Sequence, residues 1–222
     1  MKNSNGTRIT KYGHCCLLID IGGVRFLTDP GSFSTTQSEA RDVDAVLITH
    51  EHADHLHIGS LKEVLTNNSN AKVVTNSAVG KILNEKGIEY HSVSDGESTD
   101  IKGILVEGMG SKHAEIYKEF GQVENTGYFF NGEEKHKLFY PGDAFYRPNK
   151  PVDILALPVA GPWCNVHDAM EYALAVHPRI AFPIHDGPNA SWGGTPSRVG
   201  PKYLTPVGIE FVIIEIGETK EL

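Results

Sequence analysis

Ala45-Val46-Leu47-Ile48-Thr49-His50-Glu51-His52-Ala53-Asp54-His55 is the stretch that decides how this chain folds. Ala45 to Ile48 is apolar at every position, as in a strand covered on both faces. Polarity begins at Thr49, where such a strand leaves its sheet. His50, His52, Asp54 and His55 follow within six positions. A lone histidine at a strand end usually packs or faces water. Four imidazoles and carboxylates this close together are a donor set for Zn, Mn or Fe(II). His50 and His52, two apart in a turning segment, reach one ion. Asp54 and His55, just beyond, serve a second. A two-metal site clamps both the attacking and the leaving oxygen of a displacement.

Outward from this segment the same arrangement recurs. His113 follows Ile104-Leu105-Val106 and the loop Gly108-Met109-Gly110. Asp143 closes Tyr140-Pro141-Gly142-Asp143, and His185 follows Ile180-Ala181-Phe182-Pro183-Ile184. Each comes after an apolar run and a Gly or Pro, so each projects from a sheet end into a common cleft.

The rest of the chain supplies the frame. Thr7–Thr10, Cys15–Ile19 and Val24–Thr28 read as strands, with Asp20-Ile21-Gly22-Gly23 as a hairpin turn. Apolar spacing at 58, 61, 64 and 65 predicts a helix, Lys72–Thr75 a strand, and 77–86 a short helix capped by Asn76 or Ser77 and stopped by Gly87. Strands are expected over 101–106, 127–130, 137–140, 154–157, 180–182 and 211–216, and a helix over 166–176. Strands and helices alternating in two blocks predict two sheets with helices outside.

Composition narrows the function. The 222 residues are expected to form one domain, and a net charge of −8 argues against a nucleic-acid coat. No apolar run reaches the length of a membrane span, and Met1–Thr10 is too polar for a secretory signal. Three cysteines, two of them adjacent, make no disulfide framework, so a reducing, cytoplasmic setting is expected. Cys15, Cys16 and Cys164 read as small core residues. His57, His91, His136, His167 and His177 read as surface or structural. Trp163 either lines the substrate mouth or packs on the helix that follows.

His50-x-His52-x-Asp54-His55, with His113, Asp143 and His185 in that order, resembles the metallo-β-lactamase-fold hydrolases over roughly residues 8–190. Tyr12-Gly13-His14, Thr28-Asp29-Pro30, Pro141-Gly142-Asp143 and Pro183-Ile184-His185-Asp186-Gly187 resemble the small single-domain branch related to ascorbate-6-phosphate lactonase. The resemblance implies an α/β fold, an αβ/βα four-layer sandwich with the metals at one edge between the sheets. It implies two divalent ions, zinc first and manganese the alternative. One is held by His50, His52 and His113, the other by Asp54, His55 and His185, and Asp143 bridges them. His14 and Asp29 resemble positions that support the ligands from behind. Asp29 is the first choice for the carboxylate that takes the other N–H of a ligating imidazole, against a plain turn Asp before Pro30. Asp186 is a helper of the same kind or a turn residue.

The implied activity is a dinuclear metal-dependent hydrolase that uses a bridging hydroxide on a small ester, lactone or phosphodiester. Asp54 orients that hydroxide and takes up its proton. True zinc β-lactamases usually lack a bridging Asp and often carry a Cys ligand, so β-lactam hydrolysis is not expected here. Two divalent ions against Asp54, Asp143 and hydroxide leave the pocket at about +1, which favours an anionic small-molecule substrate. The alternative is a non-enzymatic metal-binding scaffold or sensor on the same fold.

Overall fold

The computed structural model describes residues 6–133, 136–187 and 195–222. In chain order the first block holds strands β1 (Thr7–Gly13), β2 (Cys16–Ile21), β3 (Val24–Thr28) and β4 (Ala45–Ile48). Helix α1 (Ile58–Asn67), strand β5 (Lys72–Thr75), helix α2 (Ser77–Glu85) and strand β6 (His91–Ser92) follow. The second block holds β7 (Ser98–Ile101), β8 (Ile104–Met109), β9 (Gly127–Asn131), β10 (Leu138–Tyr140) and β11 (Ile154–Pro158). It continues with α3 (Val166–Val176), β12 (Ile180–Ile184), α4 (Thr195–Leu204), β13 (Glu210–Phe211) and β14 (Thr219–Glu221).

Two seven-stranded mixed sheets result, in the orders β14-β1-β2-β3-β4-β5-β6 and β13-β12-β11-β10-β9-β8-β7. In the first, β14 through β3 pair antiparallel and β3 through β6 parallel. In the second, β7 through β10 pair antiparallel and β10 through β13 parallel. The two blocks therefore share one mixed topology, although no repeat is visible in the residues.

Period-2 alternation sorts the side chains into layers. Ala45 and Leu47 of β4 face the space between the sheets, where they meet Phe26, Tyr128, Phe130, Leu138, Tyr140, Ala156 and Phe182. Val46 and Ile48 of the same strand face the other way, onto Leu61 and Val64 of α1 and Val79 and Leu83 of α2. Phe129, Phe139, Leu155 and Leu157 face outward onto Ala169, Tyr172 and Ala173 of α3 and Leu204 of α4. This is the four-layer αβ/βα sandwich, with β4 inside its sheet as expected. Asn76 proves to be the cap of α2, its side chain accepting from the Val79 N–H at 3.1 Å. Asn165 starts α3 with a reciprocal capping box on Asp168.

The chain end departs from expectation. The strand expected over 211–216 is only Glu210–Phe211, and Thr219–Glu221 crosses to the other sheet and pairs with Arg8–Thr10. Gly217 at φ +84° turns the chain between them. Helix α4 stands where no helix was expected, and residues 188–194 lie outside the described residues. Among the described residues no helix is long and apolar enough to cross a membrane.

Candidate metal centre

Every residue singled out as a metal ligand stands at a strand exit, and the sheet geometry gathers them. His50, His52, Asp54 and His55 lie on the connection from β4 to α1. His113 follows β8, Asp143 follows β10 and His185 follows β12. Asp143 is at the middle and almost fully buried. Its Oδ2 lies 3.0 Å from His185 Nε2, 3.3 Å from His113 Nε2 and 3.7 Å from His50 Nε2. Its Oδ1 lies 3.1 Å from His55 Nε2. Asp54 Oδ2 stands beside it, 3.5 Å from His185 Nε2 and 3.9 Å from His55 Nε2. His52 completes the group, its Nδ1 3.1 Å from His50 Nε2. Two donor groups result, His50-His52-His113-Asp143 and His14-Asp54-His55-His185, each with its donor atoms within 4.8 Å of one another.

The hydrogen bonds fix which nitrogen of each ring keeps its lone pair. Asp29 is fully buried and accepts from four donors. These are the Thr49 N–H at 2.8 Å, the Thr49 hydroxyl at 2.8 Å, the Tyr140 hydroxyl at 2.7 Å and His55 Nδ1–H at 2.7 Å. Four donors on one carboxyl leave it acceptor-only. His55 therefore keeps a proton on Nδ1, and Nε2, facing Asp143, is the nitrogen a cation would find bare once its proton is released. Thr49 gives its single hydroxyl proton to Asp29, so its oxygen accepts from His50 Nδ1–H at 3.0 Å. That leaves His50 Nε2 bare as well. His113 donates Nδ1–H to the Ala114 carbonyl at 2.5 Å, with the same consequence. Such outer partners set ring tautomer and orientation at metal sites.

His14 follows a different rule, although it falls in the second donor group. Its Nδ1 accepts from the Gly187 N–H at 3.2 Å, so the ring proton is on Nε2 and is donated to Asp54 Oδ2 at 3.2 Å. A protonated Nε2 has no lone pair for a cation. His14 thus aims Asp54 and is not itself a ligand. The turn that supplies the Gly187 N–H is pinned from β1. The ammonium of the buried Lys11 donates to Asp186 Oδ2 at 2.5 Å and to the Pro183 carbonyl at 3.3 Å.

Burial and neighbouring charge shape the titration of the cluster. Burial, with the charge of His55, holds His50 well below the usual imidazole range and so neutral. Burial also opposes protonation of His185, but hydrogen bonds to Asp143 and Asp54 outweigh it and push this group up to about 10. Burial raises Asp54, yet the hydrogen bonds from His14 and His185 prevail and hold it well below the carboxylate range. Three residues of the centre, His14, Asp29 and His185, sit at φ +48°, +35° and +55°. Non-glycine residues in that region each cost on the order of 1–3 kcal/mol and cluster at functional sites.

Several members of this neighbourhood carry no legible signal in the residues around them. Thr49, Tyr140 and Lys11 act through contacts far along the chain. Cys15, read as a core residue, is buried with its sulfur, His55 and Asp143 within 4.8 Å of one another. Burial works against its thiolate, while the imidazoles of His55 and His14 outweigh that and lower its pKa. Cys164 is an ordinary buried thiol, pushed up to about 12 chiefly by burial. Trp163 shares a buried cluster with Ala169 and Met170 of the helix that follows; its ring also packs on Phe145 at 5.3 Å and stands edge-on to His113 and His185.

Known proteins bear on the same segments. Residues 8–185 match the β-lactamase superfamily domain. Protein Rv0786c of Mycobacterium tuberculosis is 36% identical over 180 residues, 80% of this chain and 83% of that one. The UPF0173 metal-dependent hydrolase Ta0764 of Thermoplasma acidophilum is 28% identical over 190 residues, 80% of this chain and 82% of its own. Among solved structures, Igni18, a metallo hydrolase from Ignicoccus hospitalis, shares the fold at a TM-score of 0.78. That match covers 97% of this chain and 98% of the other at 20% identity. The matched span runs from β1 to His185 and so contains both sheets and every residue of the buried cluster: the chain belongs to the β-lactamase superfamily.

Proposed function

We propose that the cluster holds two divalent ions, one on His50, His52 and His113 and one on Asp54, His55 and His185, with Asp143 between them. One observation carries this reading. His55 Nε2, His113 Nε2 and Asp143 Oδ1 are buried and have no hydrogen-bond partner. Such orphans cost roughly 1–3 kcal/mol each unless something accepts their lone pairs. A cation does so for all of them at once. Neutral imidazole and carboxylate suit zinc, with manganese the alternative.

The chain is a metal-dependent hydrolase on this reading. Divalent ions bound here supply Lewis acidity and bring the pKa of water toward about 7. The protein's part is orientation. Asp54 is the most exposed carboxylate of the group, its side chain 22% accessible, and His14 fixes it from behind through its Nε2–H. It accepts a hydrogen bond from the attacking water and aims that oxygen at a carbonyl or phosphoryl centre. Its depressed pKa makes it a weak base, so it hands the proton on to the leaving oxygen. We assign ester, lactone or phosphodiester bonds as the substrate class, in preference to β-lactams. Asp29 adds a third carboxylate directly behind His55, so the loaded site stands nearer neutrality than a count of Asp54 and Asp143 alone gives.

The test pairs elemental analysis with a panel of lactones, esters, bis(p-nitrophenyl) phosphate and a β-lactam reporter, each with and without chelator. Two metal equivalents and chelator-sensitive turnover of oxygen esters are expected. Turnover of the β-lactam alone, or at most one equivalent of metal, contradicts the assignment. Full metallation with no turnover moves the weight to a metal-binding scaffold.

Two further outcomes follow from the geometry. His185, pushed up to about 10, is an imidazolium in the metal-free chain at neutral pH, and His55 is likewise held well above its usual range because Asp143 and its neighbours outweigh burial. Ligation needs bare nitrogens, so loading zinc must release protons and apparent affinity must rise with pH up to about 10. Calorimetry of zinc binding at pH 7 in buffers of different ionisation enthalpy reads this as a nonzero slope; a flat line contradicts it. Gly31 gives the second. A Cβ there would lie 1.8 Å from the Asp54 carbonyl oxygen and 2.5 Å from the His55 nitrogen. Gly31→Ala must displace both backbones, and it should lose the ion on Asp54, His55 and His185 before the other. Wild-type metal content in that variant would show the loop yields freely.

A further inference from the structure

We propose that the substrate carries a flat aromatic group next to the scissile bond, with a neutral or cationic far end, and that Trp163 and Tyr146 select it. This rests on the hydrolase reading and names its substrate class. A cavity of about 560 Å³ opens beside His113, which itself forms part of the wall, so the space adjoins the metal centre across that ring. That volume suits a small organic ligand.

One wall of the cavity is aromatic. Trp163, Phe145 and Tyr146 line it together. Trp163 is almost fully buried, 8% exposed, and its place is set by three rings. Its centroid lies 5.5 Å from His113 at 77° and 5.4 Å from His185 at 75°, one imidazole from each donor group, and 5.3 Å from Phe145. Gly161 makes this approach possible, since a Cβ there would stand 3.0 Å from the indole nitrogen. On the outer side Tyr146 is 37% exposed. Gly110, at φ +81°, leaves its ring face open, where a Cβ would come within 3.0 Å. A buried ring beside the metal edge and a second, accessible ring line the same cavity and offer aromatic surface to a planar group. An alkyl group would leave these faces partly wet and forgo the edge-to-face contacts that aromatic pairs add.

Charge sets the far end. Asp95, Glu115 and Asp168 line the same cavity against a single ammonium, Lys112. Asp95 is held by the Gly110 N–H at 2.8 Å, and Asp168 by the Asn165 N–H at 3.1 Å. An anion at the reacting end is met by the metals, but a second anion at the distal end meets fixed carboxylates.

Calorimetry on zinc-loaded protein tests this with matched probes: phenylphosphonate against methylphosphonate, then 4-(aminomethyl)phenylphosphonate against 4-carboxyphenylphosphonate. The phenyl probe should bind ~10-fold more tightly than the methyl probe, about what one good ring contact supplies. The aminomethyl probe should keep that margin and the carboxy probe lose most of it. Trp163→Leu should reduce the phenyl-to-methyl ratio below ~3-fold and Trp163→Phe should restore most of it. Tyr146 packs on Phe139 at 6.3 Å, so Tyr146→Ala tests the aromatic wall with the imidazole contacts of Trp163 intact. Metal content is measured on each variant. Equal affinities for phenyl and methyl probes, no binding of either, or an unchanged ratio in both Trp163→Leu and Tyr146→Ala overturns the inference. An intact aryl preference in a loaded protein that hydrolyses nothing overturns the hydrolase reading alone.

Discussion

Asp143→Ala is expected to lose both ions, with metal content falling well below one equivalent and turnover lost with it. The reason is position. One carboxylate faces four imidazoles, with His185, His113 and His50 on Oδ2 and His55 on Oδ1. Its removal takes the only anionic group from between the two donor sets and leaves the His50, His52 and His113 side with neutral donors alone. Burial would raise this carboxyl, but His55 and the hydrogen bonds from His113 and His185 hold it well below its ordinary range. The charge is thus present at any working pH and is an intrinsic part of the site. The loss should exceed the roughly 10–100-fold that removal of an outer partner costs. Local structure should survive, because the turn is built from other atoms. The Asp143 N–H is held by Asn125 Oδ1 at 3.0 Å, and Gly142 takes φ +62°, a conformation that needs no help from the carboxylate. Melting in the presence of chelator separates the two effects: the variant should match the stripped wild type within a few degrees. Retention of two equivalents by Asp143→Ala would remove the bridging assignment.

The centre was legible because its members follow a rule that sequence displays. An apolar run that stops at a polar residue marks a strand exit, and seven such residues lie at the exits of β4, β8, β10 and β12. Alternation in Ala45–Ile48 set the register and hence the two outer layers. What the residues did not display was contact across the sheets. Tyr140 is an ordinary inward aromatic of β10 until its hydroxyl is found 2.7 Å from Asp29. Lys11 reads as an exposed strand residue, yet it is buried against Asp186 across 175 positions of sequence. Cys15 and Cys16 look equivalent; alternation sends Cys16 to the outer layer and Cys15 toward His55. Strand β14 was hidden because Thr219-Lys220-Glu221 is short and polar, as edge strands tend to be, and its partner lies at the opposite end of the chain. Residues 186–194 have no apolar period to read.

Asp29→Ala is expected to damage the fold more than the site, which reverses what a turn residue before Pro30 or a simple helper of one histidine would do. Asp29 has no solvent exposure and gathers four donors from three residues: the backbone and hydroxyl of Thr49, the hydroxyl of Tyr140 and the ring of His55. Alanine takes the acceptor from the Thr49 N–H, the Thr49 hydroxyl and His55 Nδ1–H at once, while the Tyr140 hydroxyl keeps the Cys15 carbonyl at 2.8 Å. Breaking a buried charged pair by removing one member costs roughly 3–5 kcal/mol, so the metal-free variant should lose much of its margin of stability or fail to fold. Asp29→Asn isolates the second consequence. It keeps the volume, but an amide can accept on only one atom and donates from the other. With its nitrogen at the Oδ2 position it meets His55 Nδ1–H, and the imidazole is driven to carry its proton on Nε2, where the lone pair for the cation had been. That variant should lose less stability than Asp29→Ala, yet bind the Asp54–His55–His185 ion at least ~10-fold more weakly, within the range for an outer partner. Nitrogen-15 spectra of the His55 ring in the two metal-free proteins, recorded above the pH at which the imidazolium loses its proton, distinguish Nδ1–H from Nε2–H directly. An unchanged tautomer together with unchanged zinc affinity in Asp29→Asn would mean that the carboxylate holds the sheets together and has no part in preparing the metal site.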